Sequence, residues 1–252
     1  MRIISILLIF CSHLCLAQQQ GYYRMPAIHG KQVLFTAEGD LWKYDLTSTQ
    51  TTRLTTHHGM ESDPVFSPDG KQIVFTGEWE GSAELYLIAN TGGVPKRLTY
   101  CNSWEVKAIS WVADGKILYT TRSESPLIDT QLAKLDPQTL HSEVIPLAQA
   151  ADGAFDAHGT LYFTRFAFQG SHTKRYKGGT AQTIWKFGGN APSVCITCDY
   201  TGTSREAMLY KDRIYFATDR DGTMNIWSMN TGGKDLKQHT FSSGWDVMSP
   251  YL

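Results

Sequence analysis

The stretch "DPVFSPDGKQIVFT", Asp63 to Thr76, decides the fold. Two short apolar runs flank Ser67-Pro68-Asp69-Gly70. Pro presets the φ of one turn position and Gly accepts the positive φ of a tight reversal, so the stretch reads as a β-hairpin. Weaker copies return along the chain. Second strands close on an aromatic and Thr at Phe35-Thr36, Phe75-Thr76, Tyr119-Thr120 and Phe163-Thr164, and on Phe216-Ala217. The steps between these aromatics are 40, 44, 44 and 53 residues (75−35, 119−75, 163−119, 216−163). The last step is long because the polar insertion "QGSHTKRYKGGTAQ", Gln169 to Gln182, interrupts that unit.

Each unit has the same internal order. A short first strand, such as "PVFS" or "AISW", leads to a turn: "HGK", "PDGK", "ADGK", "AHG" or "KDR". The aromatic-Thr strand follows. A third strand carries Leu41-Trp42, Leu85-Tyr86, Ile184-Trp185 or Ile226-Trp227, and a fourth resembles "KRLT", Lys96 to Thr99. The "NTGG" runs at Asn90 and Asn230 mark two of the last reversals. Four antiparallel strands at a period of about 40 to 50 residues are the pattern of propeller blades. A β-sandwich also has many short strands but needs no self-similarity. The expectation is therefore an all-β propeller of four-stranded antiparallel blades, at about 25–57, 62–101, 106–148, 152–200 and 205–242. "WDVMSPYL", from Trp245, is expected to open a sixth, incomplete blade, so the chain reads as a piece of a longer protein. Blades bury their faces on one another, so Trp42, Tyr86, Trp185 and Trp227 are expected in packing positions.

The charge balance, 23 basic against 24 acidic residues, gives no basic excess to attract a nucleic acid. Residues 1–17, "MRIISILLIFCSHLCLA", have a basic start, a short apolar run and small residues at Cys15 and Ala17. They read as a secretory signal peptide, leaving Gln18 as the mature start of a periplasmic or secreted protein. The apolar run is short of the roughly 20 residues that span a bilayer, and no later segment is long and apolar enough to do so. Three cysteines then remain: Cys101, Cys195 and Cys198. "CITC" has redox-motif spacing, but in a strand residues three apart face opposite sides. Two packed thiols are expected there.

"FSPDGK" is shared by several propeller families. Three further stretches narrow the likeness: "IHGKQVLFTAEGDLWKYDL" in the first blade, "KRYKGGTAQTIW" in the fourth and "DRIYFATDRDGTMNIWSMNTGGKDLKQHT" in the fifth. In this order they resemble the N-terminal six-bladed propeller of tricorn protease and its bacterial homologues, within the TolB-like propeller superfamily. The resemblance implies a supporting role in a large serine peptidase that trims oligopeptides. It implies a PDZ domain and a peptidase domain C-terminal to this region, peptide substrates as partners, and a homo-oligomer. The family's catalytic residues lie in that distant part, so none is assigned here.

Other motifs carry less. No G-x-S-x-G elbow, H-E-x-x-H helix or P-loop occurs. "SHTK" at Ser171 lies in the Gly-rich insertion rather than on a helix. "DRDGTMN" at Asp219 starts like a calcium loop but lacks its final Glu, and reads as a hairpin turn. His57-His58, with Glu61 and Asp63 nearby, read as a solvated connector. No metal or cofactor is therefore expected. "KRYKGG" supplies the candidate peptide-binding residues Lys174, Arg175, Tyr176 and Lys177, a basic lip that would attract peptide carboxylates, against the plainer reading of a solvated loop. The expected function is the non-catalytic propeller of an exported tricorn-like peptidase. The alternatives are a TolB-like envelope scaffold and a propeller with a catalytic site in its own channel.

Overall fold

A computed structural model of the chain describes residues 22–124, 129–167 and 176–251. It contains five four-stranded antiparallel sheets, each taking its strands in sequence order. Blade one is β1 (Arg24–His29), β2 (Gln32–Ala37), β3 (Asp40–Asp45) and β4 (Gln50–Arg53). Blade two is β5 (Glu61–Phe66), β6 (Gln72–Glu80), β7 (Ser82–Ala89) and β8 (Lys96–Arg97). Blade three is β9 (Val106–Trp111), β10 (Ile117–Thr121), β11 (Gln131–Leu135) and β12 (Ser142–Val144). Blade four is β13 (Asp152–Phe155), β14 (Leu161–Thr164), β15 (Ile184–Phe187) and β16 (Val194–Cys195). Blade five is β17 (Ser204–Tyr210), β18 (Arg213–Thr218), β19 (Asn225–Asn230) and β20 (Lys237–Gln238).

The deciding hairpin forms for the reasons its residues give. Gly70 takes φ +69° and donates its N–H to the Ser67 carbonyl at 2.8 Å. The Asp69 carboxylate accepts from Ser67 Oγ at 2.7 Å and from the Lys71 N–H at 3.1 Å. A Cβ at Gly70 would stand 2.4 Å from the His29 ring of blade one, so the glycine also lets two blades approach.

Alternation along each strand sends one set of side chains to each neighbouring blade. Ile73 and Phe75 pack on Ala27, Leu34 and Leu41 of blade one, while Val74 and Leu85 pack on Val106, Ala108, Ile117 and Tyr119 of blade three. Two further clusters join blades three to four and four to five. Tyr86 is buried, Trp185 and Trp227 are half-buried against these clusters, and Trp42 is half-buried on the outer face of blade one.

The threonines have a second role. Thr76 Oγ1 accepts the Ala108 N–H of the next blade at 3.0 Å, Thr120 Oγ1 donates to the Ala151 carbonyl at 2.6 Å, and Thr164 Oγ1 accepts the Glu206 N–H at 3.1 Å. In blades two, three and four the aromatic of the pair fills an inter-blade core and the hydroxyl stitches the backbone across it.

Two expectations are corrected. Residues 245–251 form no strand, so no opening strand of a sixth blade exists among the described residues. Among the described residues that segment pairs with no strand and instead runs from blade five toward blade one. Val247 donates its N–H to the Met224 carbonyl at 2.8 Å, the Ser249 N–H reaches the Glu206 carboxylate, and Tyr251 packs against the cluster of blades one and two. Cys195 and Cys198 form a disulfide rather than two packed thiols. The strand ends at Cys195 and the chain bends at once, so the alternation rule does not apply and the Cα atoms come within 5.8 Å. The proposed signal peptide, residues 1–17, lies outside the described residues.

Candidate functional site

The first strands of all five blades, with Ser249, Pro250 and Tyr251, surround a central cavity of about 430 Å³. The blades share one topology, so the first residues of these strands lie at one mouth of the cavity and their last residues near the other. The end of β14 lies at the first mouth, because Thr164 pairs with Asp152 at the start of β13.

A local irregularity aims side chains into this cavity. The β1–β2, β5–β6 and β17–β18 ladders each break at a bulge, where Met25, Asp63 and Glu206 take φ values of 51°, 49° and 60°. A bulge releases two residues from the ladder and turns one toward a new direction. Pro26 and Pro64 sit in two of these gaps, where no N–H is required. Ser249, before Pro250, has φ 55° and so repeats the conformation without a partner strand. Blade four has no bulge, and Gly153 follows Asp152 because a Cβ there would stand 2.7 Å from the Tyr162 carbonyl oxygen.

The result is a mixed-charge ring of Asp63, Lys107, Asp152 and Glu206. Lys107 Nζ lies 3.4 Å from Asp63 Oδ1. Asp63, and then Glu206 and Asp152, hold the Lys107 ammonium above the ordinary lysine value against its burial. Burial pushes the Asp152 carboxyl up, opposed by a 2.6 Å hydrogen bond from Thr164 Oγ1. Arg205 pairs with Glu206 at 3.8 Å. Past the ring the lining turns apolar, with Val65, Ala108, Ile109, Ala154, Phe155 and Leu209. The site can thus hold ammonium and carboxylate groups at one end and apolar side chains beyond.

Sequence reading missed this ring. No spacing signal marks it: blade one places Met25 rather than a polar residue on the cavity, and bulges set Asp63 and Glu206. Of the basic-lip candidates, Lys174 and Arg175 lie outside the described residues. Tyr176 and Lys177 are exposed in the loop before β15, where Tyr176 Oη accepts from Thr180 Oγ1 at 3.1 Å, and neither lines the cavity. His57 stacks on Trp79 at 4.7 Å, and its Nδ1 accepts the Gly59 N–H. Asp219 accepts from Tyr200 Oη and the Thr203 N–H inside a hairpin turn. Among the described residues no group of three or more potential ligands could hold a metal ion, and no helix is long and apolar enough to cross a membrane.

Glu61, at the start of β5, is a second buried carboxylate. It accepts from Trp79 Nε1 at 2.5 Å and Thr55 Oγ1 at 2.9 Å, and burial lifts its carboxyl to about 7. It ties blade one to blade two rather than facing a ligand.

Comparison with known proteins bears on this architecture. Residues 20–252 match the family model described as the tricorn protease N-terminal beta propeller domain. The chain is 32% identical over 230 residues to the tricorn protease of Thermoplasma volcanium, covering 85% of this chain and 22% of that protein. It is 29% identical over 227 residues to tricorn protease homolog 1 of Streptomyces coelicolor, covering 89% of this chain and 21% of the relative. It thus spans about a fifth of these relatives' length. The crystal structure of the tricorn protease superposes with a TM-score of 0.83 at 26% identity, over 92% of this chain and 23% of the other. TolB from Acinetobacter baumannii shares the fold at a TM-score of 0.72 and 18% identity, over 92% and 57%. The chain belongs to the family of tricorn protease N-terminal β-propeller domains.

Proposed function

We propose that this chain is the non-catalytic propeller of an exported tricorn-like serine peptidase, and that it guides or filters peptides for PDZ and peptidase domains lying C-terminal to it. The mixed-charge ring at the mouth of the central cavity carries this reading. A peptide brings an ammonium, a carboxylate and a row of amides, and Asp63, Lys107, Asp152 and Glu206 offer partners for each. The apolar lining beyond suits side chains. The segment bearing Lys174, Arg175, Tyr176 and Lys177 would recruit peptide carboxylates as a basic lip. A relative from Sulfurisphaera tokodaii, described as a putative tricorn-like protease N-terminal subunit, is 29% identical over 171 residues and is 86% covered. It supports reading this region as a unit that works beside the chemistry. The disulfide suits an oxidising compartment, in keeping with export.

The test uses the full-length protein. Lys107→Met and Glu206→Gln should each change kcat/KM for oligopeptides about 10-fold, the equivalent of about 1.4 kcal/mol, measured well below the temperature at which each variant melts. Unchanged kinetics in both would overturn the guiding role. Arg175→Glu with Lys177→Glu should weaken cleavage of acidic peptides relative to basic ones; equal effects on both would remove the basic lip. Sequencing the mature N-terminus should give Gln18, and a retained Met1 would contradict export. The TolB-like scaffold reading rests on a fold likeness at 18% identity, which carries no function of its own.

A further inference from the structure

Blade four leaves its fourth strand differently from its neighbours. In blades one, two and five that exit is a Thr whose Oγ1 accepts an N–H of the third strand. These pairs are Thr55 with Leu41, Thr99 with Leu85 and Thr240 with Ile226, at 2.8 to 2.9 Å. In each, the same hydroxyl donates to a side chain: Thr55 to Glu61 at the start of blade two, Thr99 to Glu84 and Thr240 to the Asn225 carbonyl oxygen. Blade four keeps the first half. Thr197, buried, accepts the Ile184 N–H at 2.9 Å, and Ile196 donates its N–H to the Ile184 carbonyl as its equivalents do. Around this Thr the chain places Cys195 and Cys198, joined across three residues.

The three other exits show that this turn forms without a disulfide, so the bond is not required for the backbone path. Its placement is asymmetric. Cys195 is half-buried at the end of β16, and Cys198 is exposed on the connection to blade five. That connection is anchored to the β18–β19 turn. Tyr200 Oη donates to Asp219 Oδ1 at 3.0 Å, and Arg220 pairs with Asp199 at 3.7 Å. An exposed disulfide in a short loop, dispensable to its turn, has the accessibility of an exchangeable bond rather than a buried staple.

We propose that Cys195–Cys198 is a reversible thiol–disulfide exchange site whose partner is a dithiol reductant or its disulfide. The reductant's thiolate attacks the exposed Cys198 sulfur. The Cys195–Cys198 bond breaks, and its electron pair leaves on the Cys195 sulfur, which takes up a proton. The reductant's second thiolate then attacks its own sulfur in the mixed disulfide and releases Cys198 as a thiol. Two electrons and two protons pass to the pair, and the dithiol becomes a disulfide. Reduction frees the connection 196–203 while leaving the Thr197 cap in place.

The test uses the whole chain carrying Cys11→Ser, Cys15→Ser and Cys101→Ser, so that only this pair reports. Incubation with dithiothreitol without denaturant should release two thiols per chain, and air or oxidised glutathione should remove them again. With Cys195→Ser, Cys198 should form a mixed disulfide with oxidised glutathione ~10-fold faster than Cys195 does with Cys198→Ser, following exposure. Hydrogen exchange in 196–203 should quicken on reduction, with blades one to three unchanged. A pair that yields thiols only after denaturation, or equal reactivity of the two single variants, would overturn the proposal. Cys195→Ser with Cys198→Ser should melt cooperatively like the reduced protein. A double variant that does not fold would also overturn it, by making the bond a structural requirement.

Discussion

Blades one and two carry the same cross-strand aromatic pair in two environments. In blade two, Phe75 opposes Tyr86; the rings stack at 5.7 Å and both are buried under blade one. In blade one, Phe35 opposes Trp42 in the same register, but both are half-buried and line an open hollow of about 1100 Å³ with Tyr22, Tyr23, Val33 and Tyr44. Tyr23 sets its ring edge against Phe35 at 5.1 Å. A repeated sequence therefore does not give a repeated energy. Equivalent positions make a core where a preceding blade lies against them and stay half-exposed where, among the described residues, none does, because burial belongs to the pair of blades.

Truncation gives the largest expected effect. Phe75→Ala should cost about 3–5 kcal/mol in urea unfolding, as a fully buried aromatic leaves a cavity. Phe35→Ala should cost about 1 kcal/mol, since much of its surface already meets solvent. Equal costs would break the comparison.

Glu61 sharpens it through pH. Its folded pKa, about 7, stands above the ordinary 4.5, so the folded state favours the protonated form. The stability this gives is complete below about pH 4.5 and is lost as pH rises through about 7. Glu61→Gln should remove about 1–3 kcal/mol of this pH-dependent loss between those limits, read from urea midpoints at several pH values. A variant whose stability falls as steeply as the parent's would contradict the burial argument.

The threonine stitch gives the smallest effect and the cleanest pair. Thr76→Val leaves the buried Ala108 N–H without its acceptor and should cost about 1–2 kcal/mol. Thr36 is buried, and its Oγ1 has no hydrogen-bond partner among the described residues. Thr36→Val should be neutral or slightly stabilising. A loss at Thr36 matching that at Thr76 would show that the hydroxyl serves blade one in another way.

The blades were legible because Phe75-Thr76 and its relatives recur, and because turns such as Ser67 to Gly70 need particular dihedrals. The charge ring was not, because bulges at Asp63 and Glu206 set it, and a bulge leaves no mark in residue spacing. The disulfide was missed because the alternation rule was extended past Cys195, where the strand ends. Tyr176 and Lys177 of the "KRYKGG" segment stand clear of the cavity, so its lining gives the basic lip no support.

The central claim is that peptides engage the ring-lined cavity rather than the open aromatic face of blade one. Titrating an isotopically labelled chain with an oligopeptide tests it most directly by amide chemical shifts. The account predicts saturable shifts at Asp63, Lys107, Asp152 and Glu206. Shifts confined to Val33, Phe35, Trp42 and Tyr44, with the ring unmoved, would contradict it.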